Sequence, residues 1–327
     1  MKINLTHGSG GQATGELIEA VFAKAFGNEI LNRMEDSAVV DGSVKIAVTT
    51  DSFVVTPVFY SGGDIGRLAV CGTVNDLLMS GAVPKYLTCG FIIEEGAETD
   101  DLHKIAASMQ AAANEAGVRI VAGDTKVIQG SGGIYINTSG VGFVPEGRRV
   151  CPQNCKEDDV IILSGNLGDH HAAILSARMN IKNTIKSDCA PLNQMVEALF
   201  ENSIDVKAMR DVTRGGLGTI INEFANAAGL TAVLNEESLP VDEQVKSLCG
   251  ILGLDPLYMG NEGKFVAVVP KQQAEQAVNI MRGCKYGENA CIVGNFEKGE
   301  PKVVLNTKLG GKRRVGVLIG EGLPRIC

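Results

Sequence analysis

Tryptophan is absent from the 327 residues, and aromatic side chains make up only 5% of them. So thin an aromatic supply argues against a platform on which single-stranded nucleic acid stacks. Basic residues are also in deficit, 30 Lys and Arg against 38 Asp and Glu, for a formal net charge of -8. Such a surface repels phosphate backbones unless a local basic patch intervenes. The basic cluster Lys312, Arg313 and Arg314, beside Gly310 and Gly311, reads as a solvated turn, so nucleic acid is not an expected partner. The chain has no basic start followed by an apolar run and no stretch long enough to cross a bilayer, which predicts a cytoplasmic protein without membrane contact. Its nine cysteines contain no CxxC pair, so neither a zinc ribbon nor a secreted disulfide framework is indicated. Cys151 and Cys155 stand in a CxxxC spacing with no second half, and read as a structural turn.

What remains is a globular composition, 45% hydrophobic and 21% charged. Its length suggests two domains. Residues 44–49 read as a buried strand, 64–80 as a helix ending at Gly81, and 86–93 as a second strand. Over 99–116 the spacing of Leu102, Ile105, Met109, Ala113 and Ala116 predicts an amphipathic helix stopped by Gly117. Strands follow near 118–122 and 134–144. Pro145, Gly147, Pro152 and the polar run 153–159 then break the pattern, so the domain boundary belongs in 145–158. Beyond it, strands are expected at Val160–Leu163, 264–269 and 290–296. Helices are expected at 168–178, 193–202, 215–228, 242–252 and 272–282. Both halves are mixed α and β.

Four acidic residues stand at expected strand ends or helix turns: Asp51 after VTT, Asp76 in VNDLL, Asp124 in AGDTK and Asp211 in RDVTRGG. Singly, each reads as a cap or turn former. Together, without dedicated His or Cys ligands, they suit Mg²⁺ shared with nucleotide phosphates, since that ion takes hard oxygen ligands. The glycine-rich segment from His7 to Gly15 offers unobstructed backbone amides for a phosphate, although it does not follow a strand and lacks a P-loop's Lys-Ser/Thr ending. Lys126 and Glu262 follow glycine turns that can aim a side chain into a cleft. His170 and His171 fit a capped helix start. Cys327, in GLPRIC, ends a glycine- and proline-bearing segment with reach, because the six residues from Gly322 extend roughly 20 Å.

Taken in order, HGSGGQATGELI, TTDSFVV, VNDLLMSGA, AGDTKV, RDVTRGGLG, GNEGKF and the closing PRIC resemble the HypE family of hydrogenase maturation factors. That family lies in the superfamily of aminoimidazole ribonucleotide synthetase, selenophosphate synthetase and thiamine-monophosphate kinase. The resemblance spans essentially the whole chain, and GNEGK with PRIC separates this family from its relatives.

The resemblance implies an α/β (mixed α+β) two-domain fold like that of aminoimidazole ribonucleotide synthetase, with an ATP cleft between the domains. Residues 1–148 would form an N-terminal ATP-binding and dimerisation domain, 149–308 a C-terminal α/β domain, and 309–327 a mobile tail carrying Cys327. It further implies a homodimer and Mg²⁺ held by Asp51, Asp76 and Asp124. ATP contacts would come from Gly10, Gly11, Asp51, Asn75, Asp76, Asp124, Asp211, Thr213 and Arg214. The implied reaction is ATP-dependent dehydration of an S-carbamoyl group on Cys327 to a thiocyanate, supplying cyanide to a NiFe hydrogenase iron centre, with Lys126 and Glu262 removing the amide protons. The implied partners are the carbamoyltransferase HypF and an iron-carrying HypC–HypD complex. Two other readings remain open. One is a selenophosphate synthetase, which usually carries Cys or selenocysteine in its N-terminal glycine segment, whereas the first cysteine here is Cys71. The other is a nucleotide-binding scaffold without catalysis.

Overall fold

The computed structural model describes residues 2–8, 12–33, 38 and 40–318. Gly10, Gly11 and Cys327 lie outside the described residues. Near the N-terminus, α1 (Gln12–Leu17), a π-helical stretch (Ile18–Ala23) and α2 (Lys24–Phe26) follow one another directly. Then come β1 (Ile46–Phe53), β2 (Phe59–Tyr60), β3 (Gly63–Asp64), α3 (Ile65–Met79), β4 (Val83–Glu94), α4 (Thr99–Ala116), β5 (Arg119–Ile128) and β6 (Ile134–Phe143). After 145–158 the chain forms β7 (Val160–Leu163), α5 (Asp169–Arg178), α6 (Asn193–Glu201), β8 (Ala208–Asp211), α7 (Gly216–Ala228) and β9 (Thr231–Asn235). It continues through α8 (Glu243–Leu252), β10 (Phe265–Val269), α9 (Ala274–Arg282), β11 (Cys291–Glu297), β12 (Lys302–Asn306) and β13 (Lys312–Val315).

The first half builds a four-stranded sheet, β1-β6-β4-β5, antiparallel except for β4 and β5. A crossover through α4 makes that parallel pair possible. On one face lie α3 and α4. The side chain of Asp64 starts α3 by accepting from the N–H groups of Gly66 (2.7 Å) and Arg67 (2.9 Å). In α4 the apolar stripe Leu102, Ile105, Met109, Ala113 and Ala116 is buried, and Gly117 closes the helix in the left-handed conformation (φ 66°), as its spacing predicts. The second half builds a seven-stranded sheet, β13-β12-β9-β11-β7-β10-β8, with β9 and β12 its parallel pair.

One apolar cluster runs from α3 and α4 into the second half, joining Val74, Leu78 and Met109 with Met195, Leu199, Phe265 and Met281. On the other face of the larger sheet, α7 packs Ile220 and Phe224 into a cluster with Leu234, Val266 and Leu305. The two halves therefore share apolar core along α3, which explains why α3 is buried almost all round rather than on one stripe.

Three expectations are corrected. Residues 44–49, expected as a buried strand, enter β1 at Ile46, and none of them is buried; Ile46 and Val48 face out. Lys312, Arg313 and Arg314 form an edge strand, not a turn, and their side chains face solvent while Val315 is buried. Lys126 does not sit on a glycine turn. It lies inside β5, two residues after Asp124.

Candidate active site

The centre of α3 brings the candidate carboxylates together. Asp76 accepts a hydrogen bond from Thr49 Oγ1 of β1 (2.8 Å). Asp51, two residues further along β1, pairs in register with Thr138 of β6, whose hydroxyl donates to Ala69 O of α3 (3.1 Å). The Asp51 side chain therefore belongs to the face of the sheet that carries α3. Gly72 permits the close approach: a Cβ there would lie 2.9 Å from the Phe53 ring and 3.9 Å from Asp51 Oδ2. Asp211 ends β8, which packs on α3 from the other side.

These acids repel one another. Desolvation, then the neighbouring Asp76 charge, raises the Asp51 carboxyl, and desolvation raises that of Asp76. For Asp211, burial and then the charge of Asp76 push it up to about 7. Arg214, just beyond Val212 and Thr213, acts the other way on Asp51. Among the described residues no three acidic, His or Cys side chains close on a point tightly enough to hold a metal alone. An incomplete set of unneutralised carboxylates fits Mg²⁺ that takes its remaining ligands from phosphate and water.

Glu262 stands behind this cluster. Its side chain is buried, and Oε1 has no hydrogen-bond partner. Burial first, then Asp211, Asp188 and Asp51, hold its carboxyl well above the usual carboxylate range. Its loop is stitched to the RDVTRGG turn: Asn261 N–H donates to Val212 O (2.8 Å), and Val212 N–H donates to Lys264 O (2.8 Å).

Asn75, expected to contact the nucleotide, also joins the two halves. Its amide is buried and spent inside the protein, donating to Ala190 O (3.0 Å) and Glu262 O (3.4 Å) and accepting from Leu192 N–H (3.0 Å). His170 and His171 are likewise built into the fold. His170 Nδ1 meets Ser187 Oγ (2.8 Å), and His171 Nδ1 accepts from Gly260 N–H (3.3 Å).

The structure does not bring Asp124 and Lys126 to this cluster. Asp124 pairs in register with Gly90, one residue off the Cys89–Thr138–Asp51 row, so it projects from the opposite face of the sheet. There it accepts from Lys126 Nζ (2.8 Å). Three strand spacings, about 14 Å, also separate β5 from β1.

The N-terminal domain model of AIR synthase related proteins matches residues 34–144, and the C-terminal domain model matches 156–306. A carbamoyl dehydratase HypE from Rhodobacter capsulatus is 46% identical over 335 aligned residues, covering all of this chain and 98% of the relative. The chain belongs to the HypE carbamoyl dehydratase family. A crystal structure of hydrogenase maturation protein HypE in complex with ATP superposes with a TM-score of 0.95 at 43% identity, covering 99% of each chain. A HypE chain from a HypE–HypF complex is 48% identical with a TM-score of 0.81, covering 92% of this chain and 99% of that one.

Within this HypE fold, the sequence reading passed over three residues at the site: Asp188, Asn261 and Lys264. Asn261 and Lys264 flank Glu262 inside GNEGK and are both buried. Asp188 lies in the segment between α5 and α6, where Ser-Asp-Cys carries no helical or strand periodicity. Polar residues this deeply buried become visible only once the loops have packed.

Proposed function

We propose that this chain is an ATP-dependent carbamoyl dehydratase that turns an S-carbamoyl group on Cys327 into a thiocyanate. The observation that carries the reading is Glu262, a buried carboxyl crowded by the charges of Asp211, Asp188 and Asp51. Such a group accepts a proton near neutral pH far more readily than an ordinary glutamate. Relatives above 40% identity that are carbamoyl dehydratases support the same reaction.

Carbonyl oxygen is a poor leaving group, whereas a phosphate ester leaves readily. In the first step the carbamoyl oxygen attacks the γ-phosphorus of ATP, ADP departs and one N–H proton is lost, giving an S-bound imidate phosphate. In the second, the remaining N–H proton is lost to a base as the C–O bond breaks, releasing phosphate and leaving S–C≡N. Glu262 and Lys126 are the proposed proton acceptors. Asp51, Asp76 and Asp211 would face the metal-bound phosphates, and Mg²⁺ would supply neutralisation of phosphoryl charge. Arg214 adds a cation from the turn before α7.

Reach supports Cys327 as the carrier. The described chain passes the start of α7, where Tyr258 donates to Gly316 O (2.9 Å) and Leu318 N–H donates to Thr219 Oγ1 (3.4 Å). The nine residues from Leu318 to Cys327 can span roughly 30 Å. Against a selenophosphate synthetase, the first cysteine, Cys71, is buried inside α3.

Asp124 and Lys126 enter through a homodimer. Their sheet face exposes Ile46, Val48, Ile92 and Ile128 around a polar band, the kind of surface a second copy covers. In that arrangement Lys126 serves the site of the opposite subunit. A carbamoyltransferase of the HypF kind would load Cys327 and a HypC–HypD complex would accept the cyanide. A cytoplasmic setting fits these partners, and no helix among the described residues is long and apolar enough to cross a membrane.

The test is Glu262→Gln. Carbamoylated variant protein should bind ATP as the parent does, yet form thiocyanate at least about a hundredfold more slowly by mass spectrometry. A parental rate would remove Glu262 from the chemistry, and parental function without any ATP turnover would favour the scaffold reading.

A further inference from the structure

The loop that presents Glu262 has little of its own to hold it. It spans Gly260 to Lys264, contains two glycines and makes no regular hydrogen-bonded turn before β10. Asn261 and Lys264 tie its ends to Val212, and at Glu262 itself what fixes it is the segment 188–190, with Asn75 sharing Glu262 O. Glu262 N–H donates to Asp188 Oδ1 (3.1 Å), and Ala190 N–H donates to Glu262 O (3.3 Å). Gly263 lies flat on the same segment. Two residues beyond Glu262, Lys264 Nζ stands 3.6 Å from Asp188 Oδ2, with both side chains almost fully buried (9% and 4% exposed). One carboxylate thus grips the loop on either side of Gly263.

Stability is a poor explanation for this arrangement. Oδ2 has no hydrogen-bond partner, and its one cation is at a distance too long for a charge-assisted hydrogen bond. Burying such an ion pair costs desolvation that its attraction hardly repays, and apolar residues of similar volume often do as well or better. Nor is the pair sealed inside the core. Asp188, Lys264 and Asp169 line an open cavity of about 550 Å³ that Arg67, Lys285 and Tyr286 also line.

We infer that Asp188 is a positioning residue for dehydration: it fixes the backbone of Glu262, with Lys264 as its counter-ion, so that the Glu262 carboxyl meets the carbamoyl group in one orientation. This rests on the reading of Glu262 as a proton acceptor. A misplacement near 1 Å at a reacting group costs on the order of a hundredfold in rate. Substrate binding, which uses other residues, should be spared.

The experiment uses full-length carbamoylated protein in single-turnover reactions with ATP. Asp188→Asn keeps an oxygen to accept from Glu262 N–H and, made together with Lys264→Met so that no lone buried cation remains, should stay within about fivefold of the parental rate. Asp188→Leu combined with Lys264→Met keeps the volume, removes both charges of the pair together and removes the acceptor. That double variant should fold and hold its KM for ATP within about twofold, while thiocyanate formation slows on the order of a hundredfold. Introduced into Glu262→Gln protein it should add no further loss, because the group it positions is already gone. A purely structural role would instead add its loss to that of Glu262→Gln. The inference is overturned by a parental rate in the Asp188→Leu double variant, by an Asp188→Asn double variant that is as slow, or by additive losses. Parental activity in Glu262→Gln itself would overturn the reading of Glu262 instead.

Discussion

Asp211 ends β8 with its carboxyl buried, and burial together with the Asp76 charge pushes it up to about 7 from an unfolded value near 3.8. The sign of its contribution follows from that ordering. Between these two values the folded protein holds a proton that the unfolded chain has released, so stability from this group rises as pH falls through 7 and is lost above it. At pH 8 the ionised, buried carboxylate destabilises the nucleotide-free protein by roughly 2 to 4 kcal/mol. Asp211→Asn should therefore raise the melting temperature of nucleotide-free protein at pH 8. The gain should fade toward pH 4.5, and ATP should bind the variant more weakly at both pH values. Calorimetric melts across that range check the sign, and an equal shift at both ends would contradict it. If Asp211 serves the nucleotide as proposed, its cost to the empty protein is the usual compromise of a binding site.

At the scale of elements, the glycines divide by what a methyl group would meet. A Cβ on Gly263 would lie 1.9 Å from Asp188 O, a backbone atom that cannot swing aside. Gly263→Ala should therefore cost about 1 to 3 kcal/mol in urea unfolding. Gly250, inside α8, has nothing within 4 Å of its Cβ position. Alanine there should stabilise by about 0.5 to 1 kcal/mol. Opposite signs from the same substitution are the measurable outcome, and a destabilised Gly250→Ala protein would mean the helix is held by something other than propensity.

The same contrast accounts for what the sequence made legible. The helices α3 to α9 and the strands β4, β6, β7, β10 and β11 carry clear periodicity or stop signals, and the expected spans meet them within a few residues. Strands β2, β3, β8, β9, β12 and β13 escaped notice; none exceeds five residues, and β8 and β13 lie at the edges of the larger sheet. Edge strands hold their place by backbone pairing, so an apolar pattern is not required of them. At the site, Asp51, Asp76 and Asp211 were readable as acids at strand ends or helix turns, and their convergence on α3 bears on the nucleotide role proposed for them. Asn75, Asp188 and Asn261 were not readable as supports, because their function is to join loops distant in sequence. No local pattern encodes such a junction.

At the scale of the whole molecule, the unresolved tension is that Glu262 lies behind the four-stranded sheet and Lys126 in front of it. Asp124 and Lys126 share the outer face with Ile46, Val48, Ile92 and Ile128, while Asp51 and α3 occupy the inner one. No side-chain rotation carries a group from one face of a sheet to the other, because alternate residues point to opposite sides. If both residues act in one reaction, they come from two copies. A two-fold interface would make this arrangement reciprocal: each subunit would lend Lys126 to its partner's site and receive one in return. Co-expressing Lys126→Ala with Glu262→Ala chains then gives mixed dimers in which one site has lost both groups and the other has kept both. Random pairing makes half of all dimers mixed, so about a quarter of parental thiocyanate formation should return, although each variant alone is inactive. Two groups acting within one chain would yield no recovery at any mixing ratio. A surface break such as Val48→Lys should abolish the recovery by separating the subunits, with sedimentation reporting folded monomers. Recovery that survives in monomers, or failure to recover in proven mixed dimers, would reject the shared site.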